Sequence, residues 1–104
     1  TVSLHSGNVE ISNSTFDSLI GDNYGGAIFS YYYESVTISN CTFSNNAAPE
    51  GGAIELTDTG GKINISDSSF SGNNATNGSG GAIFASSLVT VSNSIFSGNN
   101  AAEI

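Results

Sequence analysis

Arginine, tryptophan and methionine are missing from these 104 residues, and lysine, histidine, proline and cysteine each occur once. Each gap excludes something. With Lys62 as the single basic side chain and a formal charge of −8, there is no cationic footprint for a phosphate backbone or an anionic lipid surface. Nucleic acid and membrane insertion are therefore not expected. The latter also lacks an apolar run near the roughly 18 residues a spanning helix needs. Cys41 alone cannot form an internal disulfide, so thiol usage gives no reading of the compartment. His5 has no second His or Cys to complete a ligand set, and no metal or cofactor is expected. Without Met at its start, the chain reads as a processed mature protein or as an excerpt of a longer one.

Serine, asparagine, threonine and glycine fill about half of what is there. Disordered chains are usually charge-rich and poor in aromatic and β-branched residues. This one has six Phe, four Tyr and only 10% charged residues. Its apolar residues show no helical spacing of three and four, but V-x-I/V alternation recurs and argues for strands.

The alternation is part of a longer period. "VEISNSTF" (9–16), "VTISNCTF" (36–43), "KINISDSSF" (62–70) and "VTVSNSIF" (89–96) align on Phe16, Phe43, Phe70 and Phe96, and "GGAI" returns at 25–28, 51–54 and 80–83. A fixed period of about 27 residues, each with three short apolar stretches separated by turn residues, predicts a solenoid. The expected fold is all-β: a single-stranded right-handed parallel β-helix of about four coils, 1–24, 25–50, 51–79 and 80–104, in one domain with uncapped ends. Equivalent positions would then stack about 4.8 Å apart. The Phe column is expected inside, and Ile28, Ile54 and Ile83 line a third inner wall. Asn13, Asn40, Asp67 and Asn93 form one polar column, and Asn46, Asn73 and Asn99 another. Gly26, Gly52 and Gly81, with the Gly preceding each, mark sharp bends or close backbone approach.

"FSNN" (43–46) and "FSGN" (70–73, 96–99), alternating with "GGAI", resemble the FxxN and GGA[ILV] repeats of the chlamydial polymorphic outer-membrane protein family. Similar repeats occur in adhesin-like surface proteins of methanogenic archaea. The resemblance covers nearly the whole chain and implies a right-handed β-helix displayed at a cell surface, often with an adhesive role. Two departures stand out: "FDSL" (16–19) has no Asn at its fourth place, and no membrane barrel or anchor is present in these residues.

Catalysis is not expected. A β-helical lyase needs a strong base with cationic or Ca²⁺ support, and a glycosidase needs two carboxylates across a cleft. Here Arg is absent, no column stacks several acids, and the Ca²⁺-binding Gly-Gly-x-Gly-x-Asp repeat is missing. Cys41 shares a column with Ser14, Ser68 and Ser94 and reads as a small buried slot.

Two interaction features remain. The loop "SYYYES" (30–35) carries Tyr31, Tyr32 and Tyr33, which either contact a glycan or protein partner or fold back over their own coil. Phe29 and Phe84 fall on the outward parity beside Glu55. Of five N-x-[ST] triplets, at Asn13, Asn40, Asn64, Asn74 and Asn77, the last two are the favoured glycan acceptors because they lie in a loop. Finally, "FSGNNAAEI" stops where a Gly-Gly is due, while Val2 and Leu4 have the parity of Ile54 and Leu56. The expectation is that a second copy completes an unfinished coil, with Val2, Leu4, Phe96 and Ile104 at the joined ends. The leading expectation is thus a secreted subunit that stacks head-to-tail into an extracellular fibre. The alternative is an excerpt of a longer cell-surface adhesin passenger binding a protein or glycan.

Overall fold

A computed structural model describes residues 1–4, 7–57 and 61–102. The backbone winds through four coils. The first contains β1 (Val2–Ser3), β2 (Asn8–Ser12) and β3 (Thr15–Asp17); the second, β4 (Ile28–Ser30), β5 (Ser35–Ser39), β6 (Thr42–Ser44) and β7 (Ala47–Ala48). The third contains β8 (Ile54–Leu56), β9 (Lys62–Ser66), β10 (Ser69–Ser71) and β11 (Asn74–Ala75). The fourth contains β12 (Ile83–Ala85), β13 (Leu88–Ser92), β14 (Ile95–Ser97) and β15 (Asn100–Ala101).

Strands pair with their counterparts one coil away, always in parallel, giving four walls: β1-β4-β8-β12, β2-β5-β9-β13, β3-β6-β10-β14 and β7-β11-β15. Three walls match the expected apolar stretches. The fourth, two residues wide, was not expected, because "AA" and "NA" are too short to show alternation. In coil one its place is taken by Ile20, which bridges Ala47.

Corners are made by left-handed residues, one per turn. Asn13, Asn40, Asp67 and Asn93 have φ between 48° and 53°, as their column predicted; Ser18, Asn45, Gly72 and Gly98 form the second corner, and Gly25, Gly51 and Gly80 the third. Asn, Asp and Gly tolerate this region best. The Gly after each third-corner residue has a different reason. A Cβ on Gly52 would meet the carbonyl oxygen of Gly81 and lie 2.6 Å from the backbone nitrogen of Asn74, so only hydrogen fits between stacked backbones.

Inside, the columns form as expected. Val36, Ile38, Phe43, Ile54, Ile63, Ile65 and Phe70 are fully or almost fully buried. Phe16, Phe43, Phe70 and Phe96 stack face to face, centroids 4.6–4.8 Å apart and planes within 5°, the strand spacing imposed on rings. Cys41 is a free buried thiol whose Sγ lies 3.3 Å from Ser39 O, the small slot anticipated for its column.

One expectation is corrected. Residues 2–101 make four turns in which every wall position is filled: β1 pairs with β4 as the first-wall strand of coil one, Val2 opposite Ile28. No described coil is half-built. What the ends present is unpaired strand edge. Ile104, also expected at an end, and His5 lie outside the described residues.

Candidate interaction surfaces

Two kinds of surface could act on something else: the end faces and the outer side of the first wall. Among the described residues, the strands of coil one and of coil four have no neighbour on one side. The inward columns emerge there. Val2, Val91 and Phe96 are exposed, whereas their counterparts in the middle coils, Ile28, Ile65 and Phe70, are buried. Leu4 is half-buried against the core.

A ladder of amides runs to the upper edge. Asn46, Asn73 and Asn99 each donate from Nδ2 to the carbonyl of the Phe in the coil below, at 3.0–3.1 Å. Each Oδ1 accepts the backbone N–H of the equivalent residue below: Leu19 to Asn46, Asn46 to Asn73, Asn73 to Asn99, all at 3.0 Å. The sequence marked this column; it did not reveal that the amides also close the backbone. Coil one has Leu19 in this slot, so the ladder has a distinct top and bottom.

On the outer side of the first wall, Ser3, Phe29, Glu55 and Phe84 share one column, as parity predicted for the last three. The Tyr24 ring stacks on Phe29, centroids 5.3 Å apart, and Tyr31 lies tilted against Phe29 at 5.7 Å. Beneath the corner leading into coil two, Thr1, Ser3, Ile20, Asp22, Asn23, Tyr24 and Phe29 line an open concavity of about 410 Å³. Tyr24 and its stacking were missed because corner residues carry no periodicity.

Tyr31 and Tyr32 are 61% and 56% exposed, but Tyr33 is buried, so of the two readings of the loop the folded-back one describes Tyr33 and the contact loop narrows to Tyr31 and Tyr32. The Tyr33 ring covers Gly61, where any Cβ would collide with it, and its hydroxyl donates to Leu56 O at 3.3 Å and meets Ser87 Oγ. A tyrosine so held ties coil two to coils three and four. "YYY" gave no sign of which ring turns inward; Gly61 did, as a vacancy one coil above.

Among carboxyl groups, Glu55 is 3% exposed although it points outward, and its pKa is pushed up to about 7 by burial and, secondarily, by the charge of Glu50. Asp17 is held below the usual carboxylate range by the hydroxyls of Ser44 and then Ser18. Among the described residues no three His, Cys, Asp or Glu gather as a metal site, and no helix is long and apolar enough to cross a membrane.

The acceptor asparagines are less distinct than expected. Asn77 is exposed, but Asn74 lies in β11, half-buried, with Oδ1 accepting from Asn100 Nδ2 at 3.3 Å. Asn13, Asn40 and Asn64 all face outward, so position in a loop does not set Asn74 apart.

A family model describing a right-handed β-helix region matches residues 2–104. The chain belongs to the right-handed β-helix family. No curated protein and no solved structure gives a significant match. Within the β-helix family, domains are often structural or adhesin-like and some are enzymes of the pectate-lyase type, so membership by itself leaves the activity open.

Proposed function

We propose that the chain is a structural subunit that stacks head-to-tail on copies of itself into an extracellular β-helical fibre. The observation carrying this reading is that both end faces expose the same columns in the same order. Coil four offers Ile83, Val89, Val91 and Phe96 as free rungs; coil one offers Val2, Val9, Ile11 and Phe16. Copy on copy therefore continues each inward column, and the meeting faces are different, so the contact does not close on itself. Burying the exposed Val91 and Phe96 against Ile11 and Phe16 would follow the packing already present between inner coils. The repeat resemblance to surface proteins supports an extracellular setting, as does a sequence with Lys62 as its only trypsin site.

Electron microscopy of the purified chain tests it: unbranched fibres with a subunit rise near ~19 Å, four strand spacings, are expected. Monodisperse particles at micromolar concentration would overturn it. That result favours the second reading, a β-helix segment of a longer adhesin whose own neighbouring coils cover the ends. The exposure of Tyr31 and Tyr32 supports that reading, since exposed aromatic rings suit a glycan or protein contact. Both readings make the protein a non-enzyme.

A further inference from the structure

Oε2 of Glu55 is the one buried side-chain nitrogen or oxygen among the described residues that has no hydrogen-bond partner. The buried amide column of Asn46, Asn73 and Asn99, by contrast, is satisfied down to shared amide oxygens. A buried acceptor without a donor is costly, and the cost rises sharply when the group is ionised. The atom sits in a column between Phe29 below and Phe84 above. Glu50 approaches from the corner that leads into the coil of Glu55: it bridges Tyr24, its side chain lies over Gly78, and its charge acts on Glu55. Tyr24 extends the aromatic surface by stacking on Phe29.

Among the described residues no donor reaches Oε2. The chain's one basic side chain, Lys62, is on the second wall, opposite Ser35 and Leu88. A donor from outside must suit two acids and aromatic rings. A hard divalent cation wants six or more oxygens, more than two carboxylates supply. An ammonium group fits: it donates hydrogen bonds to carboxylate, and aromatic faces attract it. Glu55 points out from the wall, and its column neighbours Phe29 and Phe84 are themselves half-exposed. Rotating one ring opens the position.

We propose that Glu55, between Phe29 and Phe84, is a binding site for an alkylammonium group, its nitrogen donating to Oε2 and its methylenes packing on the two rings. Glu50 adds the second negative charge, and the net charge of −8 draws cations to the surface. The site does not depend on whether the ends stack.

The test is an NMR titration of the intact chain, with ¹³C-labelled Glu and Phe, using n-butylammonium chloride against NaCl at equal ionic strength and pH 8. Saturable shifts at the Glu55 carboxyl carbon and the Phe29 and Phe84 rings are expected. Glu55→Gln should weaken binding by at least about tenfold, and Phe84→Leu by about threefold. Glu10→Gln, on the outer face of the second wall, should leave it unchanged. A parallel titration with Nα-acetyl-lysine amide separates the sources: equal binding points to a lysine of a partner protein, and much weaker binding to a free amine. If the Glu55 carbon follows pH but ignores butylammonium, or if Glu55→Gln binds as well as the parent, the carboxyl merely holds a proton and the proposal falls.

Discussion

Asn73 Oδ1 accepts two hydrogen bonds from Asn46, one from the backbone N–H and one from Nδ2, both at 3.0 Å. A single side-chain oxygen thereby serves the backbone and the amide of the coil below. Replacing Asn73 with Leu fills the volume but orphans the Asn46 N–H and the Phe43 carbonyl that Asn73 Nδ2 now reaches. Buried unmet groups cost about 1–3 kcal/mol each. Urea denaturation should show Asn73→Leu destabilised by about 3 kcal/mol; a loss below about 1 kcal/mol would mean water replaces the amide.

The Phe stack separates interior from edge. Phe70 is fully buried between Phe43 and Phe96, whereas Phe96 has one face bare. Phe70→Ala should cost about 3–5 kcal/mol in the dilute protein. Phe96→Ala should cost much less there, yet shorten or abolish fibres. Equal effects on stability, measured by thermal unfolding at low concentration, would show that Phe96 is already covered in the soluble particle.

Much of this architecture was legible because a solenoid repeats its constraints. The period located the inward columns, the left-handed Asn corners and the Gly-Gly contacts, since each must recur at every coil. Features that occur once escaped. Tyr33 turns inward because Gly61 leaves it room, and Tyr24 stacks on Phe29 from an aperiodic corner. The fourth wall was invisible because two residues cannot display a period. The Phe29, Glu55 and Phe84 column was readable from parity, but parity implies an exposed carboxylate, and only packing shows that its neighbours bury it.

That burial gives stability a pH dependence of definite sign. The folded-state pKa of Glu55, about 7, lies above its ordinary value of 4.5. Folding then binds a proton, and the resulting stability is fully present below about 4.5 and lost as pH rises to about 7. Asp17 works in the opposite sense, losing its contribution in acid, but it is exposed and solvent screens it. The Tm should therefore be higher at pH 5 than at pH 8. Glu55→Gln should remove most of that difference, chiefly by raising the value at pH 8. An unchanged profile in the variant would show that another group sets the slope.

Leu19 marks the weak rung of a stacked fibre. Within the chain, every backbone N–H of the amide column donates upward to an Asn oxygen, ending with Asn73 to Asn99. At a junction between copies, Asn99 would face Leu19 of the next copy, which has no amide, and the Phe96 carbonyl would lack the Nδ2 donor given to Phe16, Phe43 and Phe70. Self-stacking would thus forgo two hydrogen bonds that every internal junction has, roughly 1–3 kcal/mol altogether. Leu19→Asn restores both, at the cost of the packing that the half-buried Leu19 side chain makes against the core. The variant should lower the critical concentration for fibre formation by about tenfold or more, read by sedimentation of assembled material, even though the lost packing of Leu19 makes the single chain less stable at low concentration. A critical concentration equal to the parent's would mean that the two faces do not meet in this register.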